Sequence, residues 1–188
     1  MAPQNTPVIR HARREGQYCL RPSTLRIALA DCTIDVPVIL ELIQELADYE
    51  HESASVLATP EKLLNTLAFA PSGLVSPDNT TPSTGDDVSS SRPARCLLVS
   101  ANANAQPVGL ALYFYSYSTW RAAPGIYLED LFVRQSERGK GYGQKLLGTL
   151  AKEVVAMGGG RLEWSVLKVC LAPFALCLFV GEVQGGRV

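Results

Sequence analysis

Residues 127–150, YLEDLFVRQSERGKGYGQKLLGTL, set three glycines at every second position where an apolar run gives way to a helical pattern. Residues 126–133 read as a buried strand. Leu146, Leu147, Leu150, Val154 and Val155 keep the spacing of one helix face from about Tyr142 to Met157, and the triple glycine 158–160 ends it. A strand, a glycine-rich turn and a helix start together favour a phosphate-bearing ligand, because free backbone N–H groups and the positive end of the helix dipole converge there. Glycine lets the backbone approach that ligand and expose successive N–H groups to one anion. Arg138, Lys140 and Lys145 add positive charge. A Walker loop would need Gly-Lys followed by Ser or Thr, which is absent. The dinucleotide fingerprint would need GxGxxG after an early strand, whereas Gly139, Gly141 and Gly143 give GxGxG deep in the chain. A pyrophosphate loop of another kind remains.

The surroundings of that loop predict a mixed sheet. Residues 25–29 alternate and lead into Asp31, and Asp35 is expected to cap a helix with Pro37 in its first turn and Val36, Ile39, Leu40, Ile43, Leu46 and Ala47 on one face. Thr59-Pro60-Glu61 opens a second helix, expected to end near Ala68. Residues 70–93 are dominated by Ser, Thr, Pro, Asp and Gly and read as a flexible insertion. Residues 96–101 and 108–117 read as a hairpin whose Tyr113, Phe114, Tyr115 and Tyr117 suit cross-strand packing. Residues 161–167 alternate again, so the strand–helix–strand unit around the glycines implies two parallel neighbours in an otherwise antiparallel sheet.

The bulk numbers exclude several classes. The 188 residues suit one domain, and 47% hydrophobic with 19% charged residues is ordinary for a soluble globular chain. A net charge of -1 gives no support for nucleic-acid binding. Cys19, Cys32, Cys96, Cys170 and Cys177 show no metal-ligand spacing and read as free thiols of a reducing, cytoplasmic compartment. His11 and His51 read as plain surface residues, with no metal implied. Residues 1–24 are basic and read as a disordered tail outside the fold, a weak organelle-targeting reading standing beside it.

Arg138, Gly141 and Gly143 satisfy the pattern Q/R-x-x-G-x-G/A, which resembles the acetyl-CoA loop of the GNAT N-acetyltransferases. YLEDLFV before it, ADYEHE after the first helix and GLALYFYSYSTW in the long strand narrow the resemblance to the diamine (spermidine/spermine) N-acetyltransferases, with thialysine acetyltransferases as relatives. It spans residues 25–167, broken by the insertion at 70–93. It implies an α/β fold, acetyl-CoA as co-substrate and a small polyamine-like or diamine substrate. It also implies backbone pairing of Leu131, Phe132 and Val133 with the pantetheine arm. The pyrophosphate would sit on a cradle of Arg138, Gly139, Lys140, Gly141, Tyr142, Gly143 and Gln144. Glu129 would be the base that takes the amine proton, and Tyr49 and Glu50 would line the amine site. Asp130 reads as structural or substrate-orienting.

After RLEWSVL the resemblance stops. Family members continue with a segment whose helix carries the tyrosine that protonates the departing thiolate, and with the strands that complete the sheet and commonly the homodimer. This chain reads KVCLAPFALCLFVGEVQGGRV instead. Neither Tyr127 nor Tyr142 lies where that acid would be. Residues 168–188 are therefore expected to be a non-family apolar tail, too short to span a membrane. The codons of Lys168-Val169-Cys170 accommodate a splice-donor-like GT, so this tail is expected to be translated intron.

Overall fold

The computed structural model describes residues 6–13, 35–69 and 86–165. A five-stranded sheet runs in the order β1 (Val8–His11), β2 (Ala94–Ser100), β3 (Pro107–Ser118), β4 (Ala123–Val133) and β5 (Arg161–Trp164). All neighbours are antiparallel except β4 and β5, which are parallel as the strand–helix–strand pattern requires. Helices α1 (Val36–Tyr49) and α2 (Pro60–Thr66) cover one face, and α3 (Tyr142–Ala156) covers the other.

The run RCLLVS in β2 is buried at every position because both faces of the sheet are covered. Cys96, Leu98, Leu110 and Phe132 turn towards α1 and α2. Leu97, Val99, Ala111 and Tyr113 turn towards α3, where Leu146, Leu150 and Val154 meet them. The α1 stripe is centred on Val36, Ile39 and Leu42, with Leu40, Ile43 and Leu46 half-buried beside it. Thr59 caps α2 as expected, its hydroxyl accepting the Lys62 N–H at 3.2 Å, and α2 stops at Thr66 rather than Ala68.

The edge of the sheet corrects the expected tail. Val8–His11 pairs with residues 97–100 of β2, so part of the N-terminal stretch placed outside the fold is its first strand. Alternation marked residues 25–29 as a strand too; they lie outside the described residues. Val8–His11 joins the sheet by pairing with β2, and pairing is not a local property. His11, expected at the surface, is buried on the α3 side, and burial with Arg95 nearby lowers its pKa to about 4. Asp35 makes no side-chain cap to α1. Its carboxylate instead accepts Arg10 Nη2 at 2.8 Å and the Arg13 N–H at 2.7 Å.

Both long excursions leave and return at one point. Phe69 O accepts the Asp86 N–H at 2.7 Å while Asp86 Oδ2 accepts the Phe69 N–H at 3.2 Å. Arg92 Nη1 then donates to Leu64 O and Leu67 O, both at 2.8 Å, so the last part of the expected insertion, residues 86–93, is anchored on α2. Similarly Asp35 N–H donates to Arg13 O at 3.3 Å.

Candidate active site

β4 is the hub. Its first half pairs with β5 only from Gly125 to Leu128, opposite Arg161 to Trp164. Its second half, residues 130–133, stays paired with β3, while among the described residues nothing pairs with its other edge. Among the described residues Leu131, Phe132 and Val133 thus have no strand partner on that side, and unpaired peptide groups of this kind can bond an extended amide-bearing arm. The Phe132 ring is buried against the α1-side core, so only its backbone faces that side. Val133 O already accepts Arg138 Nε at 3.0 Å.

Just past the last described pair of β4 with β5, Leu128 and Trp164, the β3–β4 register breaks. Leu112 faces Asp130 but Tyr113 faces Leu128, so Glu129 is the extra residue of a β-bulge. A bulge re-aims one side chain, and Glu129 is exposed at this position. Asp130 beside it is half-buried. Its carboxyl is pushed up to about 6, first by burial and then by the charges of Glu129 and Glu50. Glu50, next after α1, thus belongs to the same acidic neighbourhood, one suited to a cationic substrate.

Past β4 the chain makes a 3-10 turn, Gln135–Glu137, and enters the glycines. Gly139 and Gly141 have φ of 79° and 77°, the left-handed region that other residues enter at a cost. Gly141 caps α3 without any side-chain bond, and the first intrahelical bond is Lys145 N–H to Gly141 O at 3.0 Å. The N–H groups of Tyr142, Gly143 and Gln144 consequently lack intrahelical partners at the positive end of the helix. A Cβ on Gly143 would meet nothing within 4 Å, although its backbone is ordinary helix. The protein's own packing gives no reason for glycine there; a ligand lying on the helix end does. These residues fit a pyrophosphate.

The side chains of this loop do less than its charges suggested. Tyr142 is buried in the α3-side core. Lys140 Nζ pairs with Glu137 at 2.8 Å, and Gln144 is exposed. Arg138 turns away from the glycines and lies over the Tyr49 ring, its Cζ 4.4 Å from the centroid. Tyr49 and Glu50 stand together at the end of α1, and Tyr49 is engaged on the loop side. Tyr127 bonds Ser165 through its hydroxyl at 2.6 Å and stacks on Phe114, consistent with a structural part.

Three features escaped sequence reasoning. The Glu153 carboxylate of α3 accepts the Tyr113 hydroxyl at 2.9 Å and the Tyr115 hydroxyl as well, tying helix to sheet. Arg134 binds Glu45 at 2.9 Å and Glu41 at 2.7 Å, tying the start of the loop to α1. A cavity of about 360 Å³ lies at the β3–β4 turn, lined by Tyr117, Ser118, Trp120 and Arg161, with Trp120 99% exposed. Tyr113, Tyr115, Tyr117 and Trp120 all lie in the run GLALYFYSYSTW, but their partners Glu153 and Arg161 had no local signal.

Residues 63–169, more than half of the chain, match the model of the Acetyltransferase (GNAT) family. The chain belongs to the GNAT acetyltransferases. It is 33% identical over 165 residues to an L-ornithine N5-acetyltransferase of Arabidopsis thaliana, covering 76% of this chain and 72% of that one. It is 32% identical over 135 residues to a thialysine N-epsilon-acetyltransferase of Bos taurus, covering 69% and 67%. Among solved structures, an aminoglycoside acetyltransferase from an uncultured soil metagenomic sample superposes with a TM-score of 0.56 at 13% identity, over 88% of this chain and 81% of that one. That likeness concerns the fold alone. This GNAT chain is thus an N-acetyltransferase by descent. Among the described residues no group of His, Cys, Asp and Glu is arranged to hold a metal, and no helix is long and apolar enough to cross a membrane.

Proposed function

We propose that this acetyltransferase moves the acetyl group of acetyl-CoA to a primary amine of a small diamine-like or polyamine-like molecule. The observation that carries the reading is the juxtaposition on β4: a bulged, exposed Glu129, a strand edge beyond it that no described residue pairs, and the Gly141-capped helix end after it. The relatives' names, ornithine and thialysine acetyltransferases, support an amino-acid or diamine amine as the acceptor.

Acetyl-CoA, when bound, supplies an activated thioester. In this reading Leu131, Phe132 and Val133 hold the pantetheine arm by backbone groups, and Arg138, Gly139, Lys140, Gly141, Tyr142, Gly143 and Gln144 form the pyrophosphate cradle. An amine arriving as an ammonium is attracted by Glu50, Asp130 and Glu129. Glu129 accepts its proton directly or through water, because only the neutral amine has the lone pair that forms the C–N bond as the C–S bond breaks. Direct attack is preferred to an acyl-enzyme. The one described cysteine, Cys96, is buried in the α1-side core, and burial pushes its thiol pKa up.

A second reading is favoured by one observation: the family match ends at residue 169, and residues 170–188, CLAPFALCLFVGEVQGGRV, fall outside it. The chain would then bind acetyl-CoA without turnover, as a binding or interaction partner. Titration with acetyl-CoA followed by thiol release with ornithine, thialysine and spermidine separates the two. The enzyme reading expects saturable binding and amine-dependent thiol release. Binding with no release above buffer hydrolysis rejects it in favour of the second.

A further inference from the structure

Glu41, Glu45 and Tyr49 stand at i, i+4 and i+8 on α1, one stripe along the helix. Opposite them, Arg134 and Arg138 sit four apart in the link from β4 to the glycines. Arg134 binds both glutamates, and Arg138 covers the tyrosine. The seam thus has an ionic half at the start of the loop and an aromatic half at its glycine end.

Arg138 is the residue before Gly139. Its own N–H donates to Gln135 O at 3.2 Å, its Nε–H to Val133 O at 3.0 Å, and its guanidinium lies 4.4 Å over Tyr49 and 5.8 Å from the Phe132 centroid. These contacts come from β4, α1 and the core together, immediately before two residues held at positive φ. The Lys140–Glu137 pair on the other side is exposed and screened by salt.

We infer that Tyr49 is a positioning residue for the cofactor loop, acting through Arg138. Its ring holds the guanidinium, and the guanidinium fixes the conformation from which the glycine N–H groups meet a pyrophosphate. The inference rests on the acetyl-CoA reading of the loop. It differs from an amine-site role in an observable way: loss of the ring must weaken the nucleotide ligand when no amine is present.

The test is calorimetric titration of the full chain, and of its Tyr49→Leu and Tyr49→Phe variants, with coenzyme A alone. A cation–π contact at a half-exposed site converts to roughly 3- to 20-fold in affinity. Tyr49→Leu is expected to bind that much more weakly at an unchanged melting temperature. Tyr49→Phe, which keeps the ring, is expected to stay within about twofold of the parent. Tyr49→Leu binding as tightly as the parent overturns the inference, and so does Tyr49→Phe binding as weakly as Tyr49→Leu. A parent chain that takes up no coenzyme A defeats the underlying reading and the inference with it; parental binding with no effect of Tyr49→Leu defeats the inference alone.

Discussion

Glu129→Gln is expected to lower kcat near neutral pH by about 10²- to 10⁴-fold, the usual range for a lost general base, while leaving the affinity for acetyl-CoA unchanged. The two effects separate because of where the residue sits. Glu129 is the extra residue of the β4 bulge and is exposed, so an isosteric amide disturbs neither the β3 ladder nor the core. The strand edge at residues 131–133 and the Gly141-capped helix end are untouched. An alkyl amine with an ordinary pKa of about 10.4 is almost wholly protonated at pH 7, so a proton acceptor is needed before nitrogen can attack. The sign with pH follows. As pH rises towards the amine's own pKa, more substrate arrives neutral and the deficit of the variant narrows. Steady-state rates from pH 7 to 10 test this. A variant as fast as the parent at pH 7 removes Glu129 from the role of base. A variant equally impaired at every pH implies a role in binding.

Gly141→Val is expected to reduce affinity for acetyl-CoA by roughly 5- to 150-fold. The added side chain has open space around it, so the cost is conformational: φ of 77° is the region that β-branched residues occupy worst, at roughly 1–3 kcal/mol. The chain relieves that strain by turning the helix N-terminus, which moves the three N–H groups on which the anion would rest. Gly143→Ala isolates the ligand term. Its backbone is helical and nothing lies within 4 Å, so alanine is expected to stabilise the helix by about 0.5–1 kcal/mol while its methyl occupies the cradle. Rising thermal stability with falling affinity is the expected signature. Equal affinity of Gly143→Ala and parent would mean that the ligand does not lie against that turn.

The glycine loop was legible in the sequence because its causes are local. Positive φ, a helix start and the proximity of strand and helix are all set within a few residues. The Pro37 and Thr59-Pro60 helix starts are local in the same way. What failed to show depends on pairing between distant segments. Residues 1–24 read as a tail, and only the ladder with residues 97–100 makes Val8–His11 a strand. Asp35 looked like a cap, but its carboxylate bonds Arg10 and Arg13 across the excursion. Glu129 was legible as a candidate base by resemblance, yet the bulge that aims it is a matter of register between Leu112 and Tyr113. Tyr49 was placed at the amine site by resemblance, and its contact with Arg138, far along the chain, had no local signal. Leu42, omitted from the α1 face, is fully buried because the stripe follows the sheet beneath it.

The central claim is that one ligand lies across residues 131–133 of β4 and the N-terminus of α3. Hydrogen–deuterium exchange with and without acetyl-CoA tests it most directly. The account predicts slowed exchange at residues 129–133 and 139–145, and unchanged exchange along Val8–His11 and Ala94–Ser100. Protection confined to the cavity beside Trp120, or no protection at the glycines under saturating acetyl-CoA, would contradict it.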